Sequence, residues 1–212
     1  MKAKWPLTYN YLLNYKNELE NRSIHKLWGK GNPFYSIYDI GTYTFAPYKV
    51  VWKRITGAIT GKALNFSCVV VEPINEKPVI PDGGTIILVA TETHNEAYYI
   101  AGILNSIIAR TIIASYTYQL RQETHIMDII KISKFNPNNT LHDKITKLSE
   151  RAHELAKCIH SNNKPDDCKN IAAKKELKKV EDEIDLAVAE LYGISKEELE
   201  GFKELMNILS GK

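Results

Sequence analysis

The chain has 212 residues, of which 44% are hydrophobic and 25% are charged, and its 28 Lys and Arg outnumber its 25 Asp and Glu by three. These fractions exclude a fibrous or wholly disordered protein, and a chain of this length can bury a core without metals or cross-links. A net charge of +3 is too small, taken alone, to indicate a nucleic-acid partner.

The first part of the chain predicts a short helix followed by β-structure. Residues 8–22 favour the helix. Runs of β-branched and aromatic residues bounded by Gly, Pro or Asn predict strands. They fall at residues 35–40, 48–55, 66–72, 85–91 and 126–132. Between the last two strands, an apolar helix is predicted over 95–116, followed by a polar loop over 117–124.

The last part of the chain predicts a pair of helices that zip together antiparallel. Apolar residues recur there at alternating spacings of four and three, which is typical of coiled-coil seams. The first stripe is Leu141, Ile145, Leu148, Ala152, Leu155 and Ile159, and the second is Ala173, Leu177, Val180, Ile184, Ala187 and Leu191. A polar turn over 162–167 separates them. Ser195 and Glu198 have the spacing of a capping box that opens a short terminal helix.

Composition divides the chain near residue 139. Residues 1–139 hold 15 Lys and Arg against 10 Asp and Glu, whereas residues 140–212 hold 13 against 15. The Asn-Pro-Asn-Asn run at 136–139 favours a turn between the two parts. We therefore expect an α+β protein. A mixed, twisted sheet with a packed apolar helix occupies 1–139, and an antiparallel coiled-coil hairpin with a terminal helix occupies 140–212.

Cysteine usage and hydropathy bear on where the protein acts. Cys68 lies in an apolar strand, where a core position is expected. Cys158 and Cys168 flank the predicted turn and could form a disulfide or remain two thiols. The N-terminus lacks the apolar core of a signal peptide, and the apolar segment 97–116 is interrupted by polar residues. The sequence thus predicts a cytoplasmic protein without a membrane segment.

Two long windows of the sequence contain no acidic residue. The first lies between Asp39 and Glu72, and its basic residues alternate with aromatic ones and glycines. Such a pattern is typical of surfaces that neutralise phosphates and stack on bases, although a β-core with ordinary solvated lysines has the same composition. The second window lies between Glu96 and Glu123 and ends in a polar run of Thr, Gln and Arg, residue types that can read base edges.

A metal-dependent nuclease is an alternative interpretation. Pro81-Asp82 followed by Glu92-Thr93-His94 approximates the PD-(D/E)xK pattern, in which two carboxylates hold the cation and a Lys positions the nucleophile. Here the Lys position is occupied by His94. The match is therefore incomplete. A protein-assembly module without DNA contact is a second alternative.

Four segments resemble a known family in the same order along the chain. Residues 43–54 (YTFAPYKVVWKR) are similar to the F-[SA]-P-Y-K-V-V-W stretch of target-recognition domains in adenine-N6 DNA methyltransferases and fused restriction–modification enzymes. Residues 96–106 (EAYYIAGILNS) resemble the A-Y-Y-L-x-x-I-L-N-S helix. Residues 130–137 (IKISKFNP) and 184–194 (IDLAVAELYGI) resemble the exit strand and the terminal helix of that family.

The resemblance implies that the basic β-region and the loop after the apolar helix face double-stranded DNA. The implied phosphate contacts are Lys49, Lys53, Arg54 and Lys62, and the implied base-reading residues are Thr117, Tyr118, Gln119, Arg121 and Gln122. Trp52 is a candidate for stacking on a base, but a buried Trp on a strand is the alternative. The resemblance implies no catalytic residue and no metal ligand in this chain.

The resemblance also implies a partner. Target-recognition domains of this family normally follow a methyltransferase domain, and that domain would bind S-adenosylmethionine, so no cofactor is expected here. The chain is then either a fragment of a larger enzyme or a free-standing subunit similar to the specificity subunits of type I restriction systems. The helical hairpin would set spacing, dock the methyltransferase, support self-association, or simply pack on its own domain.

Overall fold

The computed structural model describes residues 1–54, 66–116, 126–160 and 167–210, with the side chains of 167–170 left undescribed. It divides into two compact units, Met1–Thr44 and Phe45–Lys212. Within these ranges, the second unit combines helices with a three-stranded sheet. The α+β class is confirmed. The predicted boundary at 139/140 falls inside the second unit.

The first unit contains three short helices: α1 (Pro6–Leu13), α2 (Lys16–Asn21) and α3 (Ser23–Trp28). The single helix predicted over 8–22 is wrong. The chain leaves helical geometry at Tyr15 and again at Arg22, whose ψ of 136° is extended. No residue of the three helices is buried.

The strand predicted over 35–40 does not form. The Arg22 guanidinium donates to the carbonyl oxygens of Phe34, at 3.2 Å, and Ser36, at 2.9 Å. These carbonyls therefore bind a side chain and not a neighbouring strand. Asp39 has a φ of 59°, in the left-handed region that an extended strand excludes. The aromatic and β-branched residues of 35–40 thus do not pair their backbone with a strand.

The sheet of the second unit is antiparallel within the described residues, whereas a mixed sheet was predicted. Its strands, β1 (Tyr48–Lys53), β2 (Cys68–Val71) and β3 (Ile86–Thr91), have the order β2-β1-β3. The strands predicted in these three regions are confirmed. Trp52 lies opposite Cys68 on one side and Ile87 on the other, so β1 is the central strand and β2 an edge.

The predicted apolar helix over 95–116 is two helices, α4 (His94–Asn105) and α5 (Ile107–Tyr116), bent by 63°. Ser106 makes the break: its ψ is 153°, and its hydroxyl donates to Ile103 O at 2.7 Å. The same hydroxyl accepts from Ala109 N at 3.3 Å, and the Asp185 carboxylate accepts from Ile107 N at 2.7 Å. These acceptors satisfy amides that a helix start leaves unpaired.

No described helix is, by itself, long and apolar enough to cross a membrane; only α4 and α5 taken together reach that length and composition, across their bend.

The strand predicted over 126–132 is wrong. Residues Ile126–Ile129 form one helical turn, α6, and Ile130 N donates to Ile126 O at 3.0 Å. Ile126 and Ile130, four residues apart, are both buried in the core beside the sheet. This spacing is the helical period, and over a stretch this short it is difficult to distinguish from the alternation of a strand.

The predicted helical hairpin is confirmed by α7 (Thr140–His160) and α8 (Asp167–Tyr192). All predicted stripe residues except Leu141 belong to one core cluster or pack against it. Arg151 on α7 pairs with Glu176 on α8 at 2.6 Å, as antiparallel helices joined by a short connection allow. The same cluster contains Tyr99 and Ile103 of α4, so the hairpin packs on the rest of its own unit.

The terminal helix α9 (Lys196–Leu209) begins with the predicted capping box. Ser195 Oγ accepts from Glu198 N at 3.2 Å, and Glu198 Oε2 accepts from Ser195 N at 2.8 Å. Leu199 and Met206 of this helix are buried, whereas Leu205 is 41% exposed. The possible disulfide of Cys158 with Cys168 involves a side chain outside the described residues, and it stays a prediction.

Asp185 provides a test of this packing. Burial raises the pKa of its carboxyl to about 6, above the ordinary 3.8, so ionisation is disfavoured in the folded state. The stability contributed by the protonated form is therefore lost as pH rises from about 4 to about 6. We expect Asp185→Asn, which keeps the acceptor for Ile107 N, to be more stable than wild type at neutral pH by on the order of 2 kcal/mol.

Urea unfolding at pH 4 and pH 7.5 measures the effect. Asp185→Ala is the matched comparison, because it removes the acceptor and should destabilise the protein by about 1 kcal/mol. An Asn variant that is less stable than wild type at neutral pH would show that the ionised carboxylate is the preferred partner of α5.

Candidate nucleic-acid interface

The predicted DNA contacts on β1 are separated by the structure into buried and exposed side chains. Lys49 is 1% exposed, and its ammonium donates to Ala46 O at 2.6 Å. Burial lowers the pKa of Lys49. Its one described hydrogen-bond partner is a backbone carbonyl, and the group is enclosed by protein. We therefore leave Lys49 out of the candidate surface.

Trp52 is also enclosed. It is 3% exposed, and its ring lies 5.9 Å from that of Phe66 in the core cluster between the sheet, α4 and α5. Its indole Nε1 has no hydrogen-bond partner among the described residues. A side chain in this position anchors the sheet. It cannot stack on a base without leaving the core, so we leave Trp52 out as well.

Lys53, the last residue of β1, and Arg54, which follows it, are the basic residues at the C-terminal end of this strand. Lys53 is exposed and Arg54 is partly exposed. Arg54 N donates to Thr85 O at 2.9 Å and its Nη1 to Gly83 O at 3.3 Å, so the turn before β3 positions this residue. That turn is closed by Asp82, whose carboxylate accepts from Gly84 N and from the Thr85 hydroxyl.

The opposite end of the sheet is acidic. His94 at the start of α4 lies 3.4 Å from Glu72 and 3.6 Å from Glu150. Tyr98 donates to Glu72 at 2.9 Å, and desolvation with this bond raises the pKa of the phenol. Carboxylates thus gather beyond the start of β1, while Lys53 stands at its end. The Lys53 end also holds the Asp82 carboxylate, which Gly84 N and the Thr85 hydroxyl bind within the turn. Its two cations, Lys53 and Arg54, favour this end for a phosphate-bearing partner.

The remaining predicted contacts lie outside the described residues: Lys62, Thr117, Tyr118, Gln119, Arg121 and Gln122. Their flanking residues are described. Trp52 lies before 55–65 and Phe66 lies after it. Ile113 lies before 117–125 and Ile126 lies after it. All four belong to the same hydrophobic cluster. The described residues that flank 55–65 and 117–125 therefore contribute to one part of the core.

Sequence reasoning missed two side chains that complete the edge strand β2. Asn105 Oδ1 accepts from Cys68 N at 3.0 Å, and its Nδ2 donates to Cys68 O at 2.9 Å, so an amide side chain substitutes for a neighbouring strand. His153 Nε2 accepts from Val70 N at 3.1 Å while Nδ1 donates to Ser149 O at 2.7 Å. This arrangement uses neutral imidazole, and burial lowers the His153 pKa. The sequence signal that could have identified Asn105 was its position at the end of an apolar helical run.

The residues of the nuclease alternative are not brought together. Asp82 precedes β3 and Glu92 follows it. Six strand residues between them correspond to a separation of roughly 20 Å, far more than two ligands of one cation allow. Asp82 is already used by its turn. Across the described ranges, no group of three His, Cys, Asp or Glu side chains could hold a metal ion.

The chain has a distant relative among curated proteins. It is similar to the type II methyltransferase M.NspV of Nostoc sp. (strain ATCC 29411 / PCC 7524), with 29% identity over 117 residues. The match covers 53% of this chain and 22% of the relative, so the chain corresponds to less than a quarter of the relative's length. No family model matches the chain, and no solved structure matches it. The similarity supports a link with restriction–modification.

Proposed function

We propose that this chain recognises a specific sequence in double-stranded DNA as the non-catalytic target-recognition part of an adenine-N6 DNA methyltransferase or restriction–modification system. In this proposal, S-adenosylmethionine binds a partner methyltransferase domain or subunit. The observation that carries the proposal is that described residues flanking 55–65 and 117–125 share one core cluster. That cluster contains Trp52, which the exposed Lys53 and the partly exposed Arg54 follow directly in the chain.

The chemistry of that region suits DNA. Exposed cations next to residues 55–65, which hold no acidic residue, lower the free energy of phosphate approach. Phosphate contacts set the register in which other side chains reach base edges. The polar residues of 117–122 supply amide, hydroxyl and guanidinium groups for such contacts. Each good bidentate contact with a base contributes roughly 1–3 kcal/mol of discrimination. The relative named as a type II methyltransferase is consistent with this role.

The assembly alternative has less support. In the assembly alternative, a partner would bind the apolar stripes of α7 and α8. These stripes pack against each other and against α4. Ile184, for example, is 4% exposed within this core. A partner could use these stripes only if the hairpin opened, which would expose a buried core. A charged residue at Leu148 or Ile184 would therefore test the chain's own folding rather than docking.

The proposal is tested by titrating the chain into labelled duplex DNA at several salt concentrations. We expect affinity to fall steeply between roughly 50 and 200 mM salt, because phosphate contacts release counterions. No binding at low salt, or binding that does not depend on salt, would contradict the proposal. Cleavage of the duplex with Mg²⁺ that is lost in Asp82→Ala would instead establish the nuclease alternative.

A further inference from the structure

A cleft with a volume of about 530 Å³ lies between β2, α4, α7 and α8. This volume falls within the range of small-molecule sites in proteins. Small residues make room for it: Gly102 on α4, and Ala152 and Ala156 on α7. A Cβ built on Gly102 would lie 2.7 Å from Ile145 Cγ2. The two helices therefore touch on one side of the glycine.

Most of the cleft wall is apolar, but one positively charged side chain forms part of it. Arg110, on α5, lines the cleft. The residue is partly exposed as a whole, but its Nε is buried without a hydrogen-bond partner among the described residues. Within those residues the guanidinium forms no ion pair. The contrast is Arg151, whose guanidinium binds both Glu154 and Glu176. Carboxylates thus compensate the charge of Arg151, whereas no described carboxylate does so for Arg110.

A second polar group of the cleft wall also lacks a partner. Ser149 is 1% exposed, and its hydroxyl finds no acceptor or donor in the described part of the chain. Burying polar groups without partners is costly, and the cost is largest for a charged group. Two such groups around one cleft indicate a ligand that satisfies at least the guanidinium. A phosphate or carboxylate matches the planar donor fork of Arg.

We infer that this cleft binds a small organic anion, with the phosphate or carboxylate on Arg110 and an apolar body against Ala152 and Ala156. The apolar body is required because the volume far exceeds that of a lone oxyanion, and small apolar side chains line it. The exposed side chains of His160 and Glu181 stand at the rim. This inference does not depend on DNA recognition, because none of its residues belongs to the candidate DNA surface.

The experiment is a calorimetric titration of the whole chain with four probes: phenyl phosphate, benzoate, inorganic phosphate and benzyl alcohol. We expect at least one aromatic anion to bind saturably and more tightly than both inorganic phosphate and the neutral alcohol. The pair of aromatic anions distinguishes phosphate from carboxylate as the preferred group. Failure of both aromatic anions to bind would overturn the inference, as would equal affinity for inorganic phosphate.

Variants locate the site. Arg110→Met keeps the aliphatic stem and removes the charge, and Ala156→Phe fills the apolar part; each should weaken binding at least about tenfold. Lys144→Met removes an exposed positive charge from α7 and should leave binding unchanged. Thermal melts identify any variant that fails to fold. If one cleft variant fails to fold, the other one tests whether the ligand binds in the cleft. Binding that survives in a folded cleft variant would overturn the assignment.

Discussion

Replacing Lys53 and Arg54 together with Ala is expected to lower the slope of log affinity against log salt by about 2, because each phosphate that a protein cation neutralises adds about 0.9 to that slope. Lys53 is exposed at the end of β1 and pairs with no carboxylate in the described ranges. Arg54 follows it directly in the chain and precedes residues 55–65, which hold no acidic residue. Because these contacts are electrostatic, the affinity loss should be largest at low salt and should affect all duplex sequences similarly.

Lys49 on the same strand provides the matched control. Its ammonium is buried on Ala46 O, so Lys49→Met removes a positive charge without removing one from the surface. We expect the salt slope of this variant to equal that of wild type. If Lys49→Met lowers the slope as much as Lys53→Ala does, the partner reads net charge and the exposed end of β1 has no special role.

Asn105→Ala is expected to cost roughly 2–4 kcal/mol of unfolding free energy. The substitution removes two hydrogen bonds and leaves both the N–H and the carbonyl of Cys68 without their described partner. Cys68 is 3% exposed, and the Asn105 amide is the described partner of both its backbone groups. The loss should appear in the midpoint of urea unfolding, and amide hydrogen exchange should accelerate most in β2.

Two controls define the Asn105 effect. Asn207→Ala changes an exposed Asn within α9 and should shift stability by less than about 0.5 kcal/mol. Asn105→Asp keeps an acceptor for Cys68 N but loses the donor to Cys68 O, so it should fall between Ala and wild type. Equal stability of wild type and Asn105→Ala would mean that the edge of β2 is satisfied in another way.

Sequence patterns predicted the elements whose causes are local. The capping box at Ser195 and the two apolar stripes require only residues a few positions apart, and the structure contains both. The errors occurred where a distant group decided the conformation. Arg22 binds the carbonyls of Phe34 and Ser36, and Asp185 accepts from the first amide of α5, where Ser106 breaks the predicted helix. The residues within a few positions of these sites do not indicate such distant partners.

The candidate DNA surface was partly predictable for a related reason. A basic, aromatic and acid-free window can be recognised from composition, but how deeply each side chain is buried depends on what packs against it, even for residues that project from the same face of a strand. Lys49 and Lys53 are both lysines of β1, and only Lys53 is exposed. Likewise Asn105 and His153 become important only because β2 is an edge strand. Their role follows from the sheet order.

The central claim is that the chain reads a DNA sequence, and selection from a pool of duplexes with a randomised central region tests it most directly. Repeated rounds of binding and sequencing should enrich one short motif, and its affinity should exceed that of the starting pool by orders of magnitude. A pool that binds with steep salt dependence but yields no enriched motif would contradict sequence recognition by this chain.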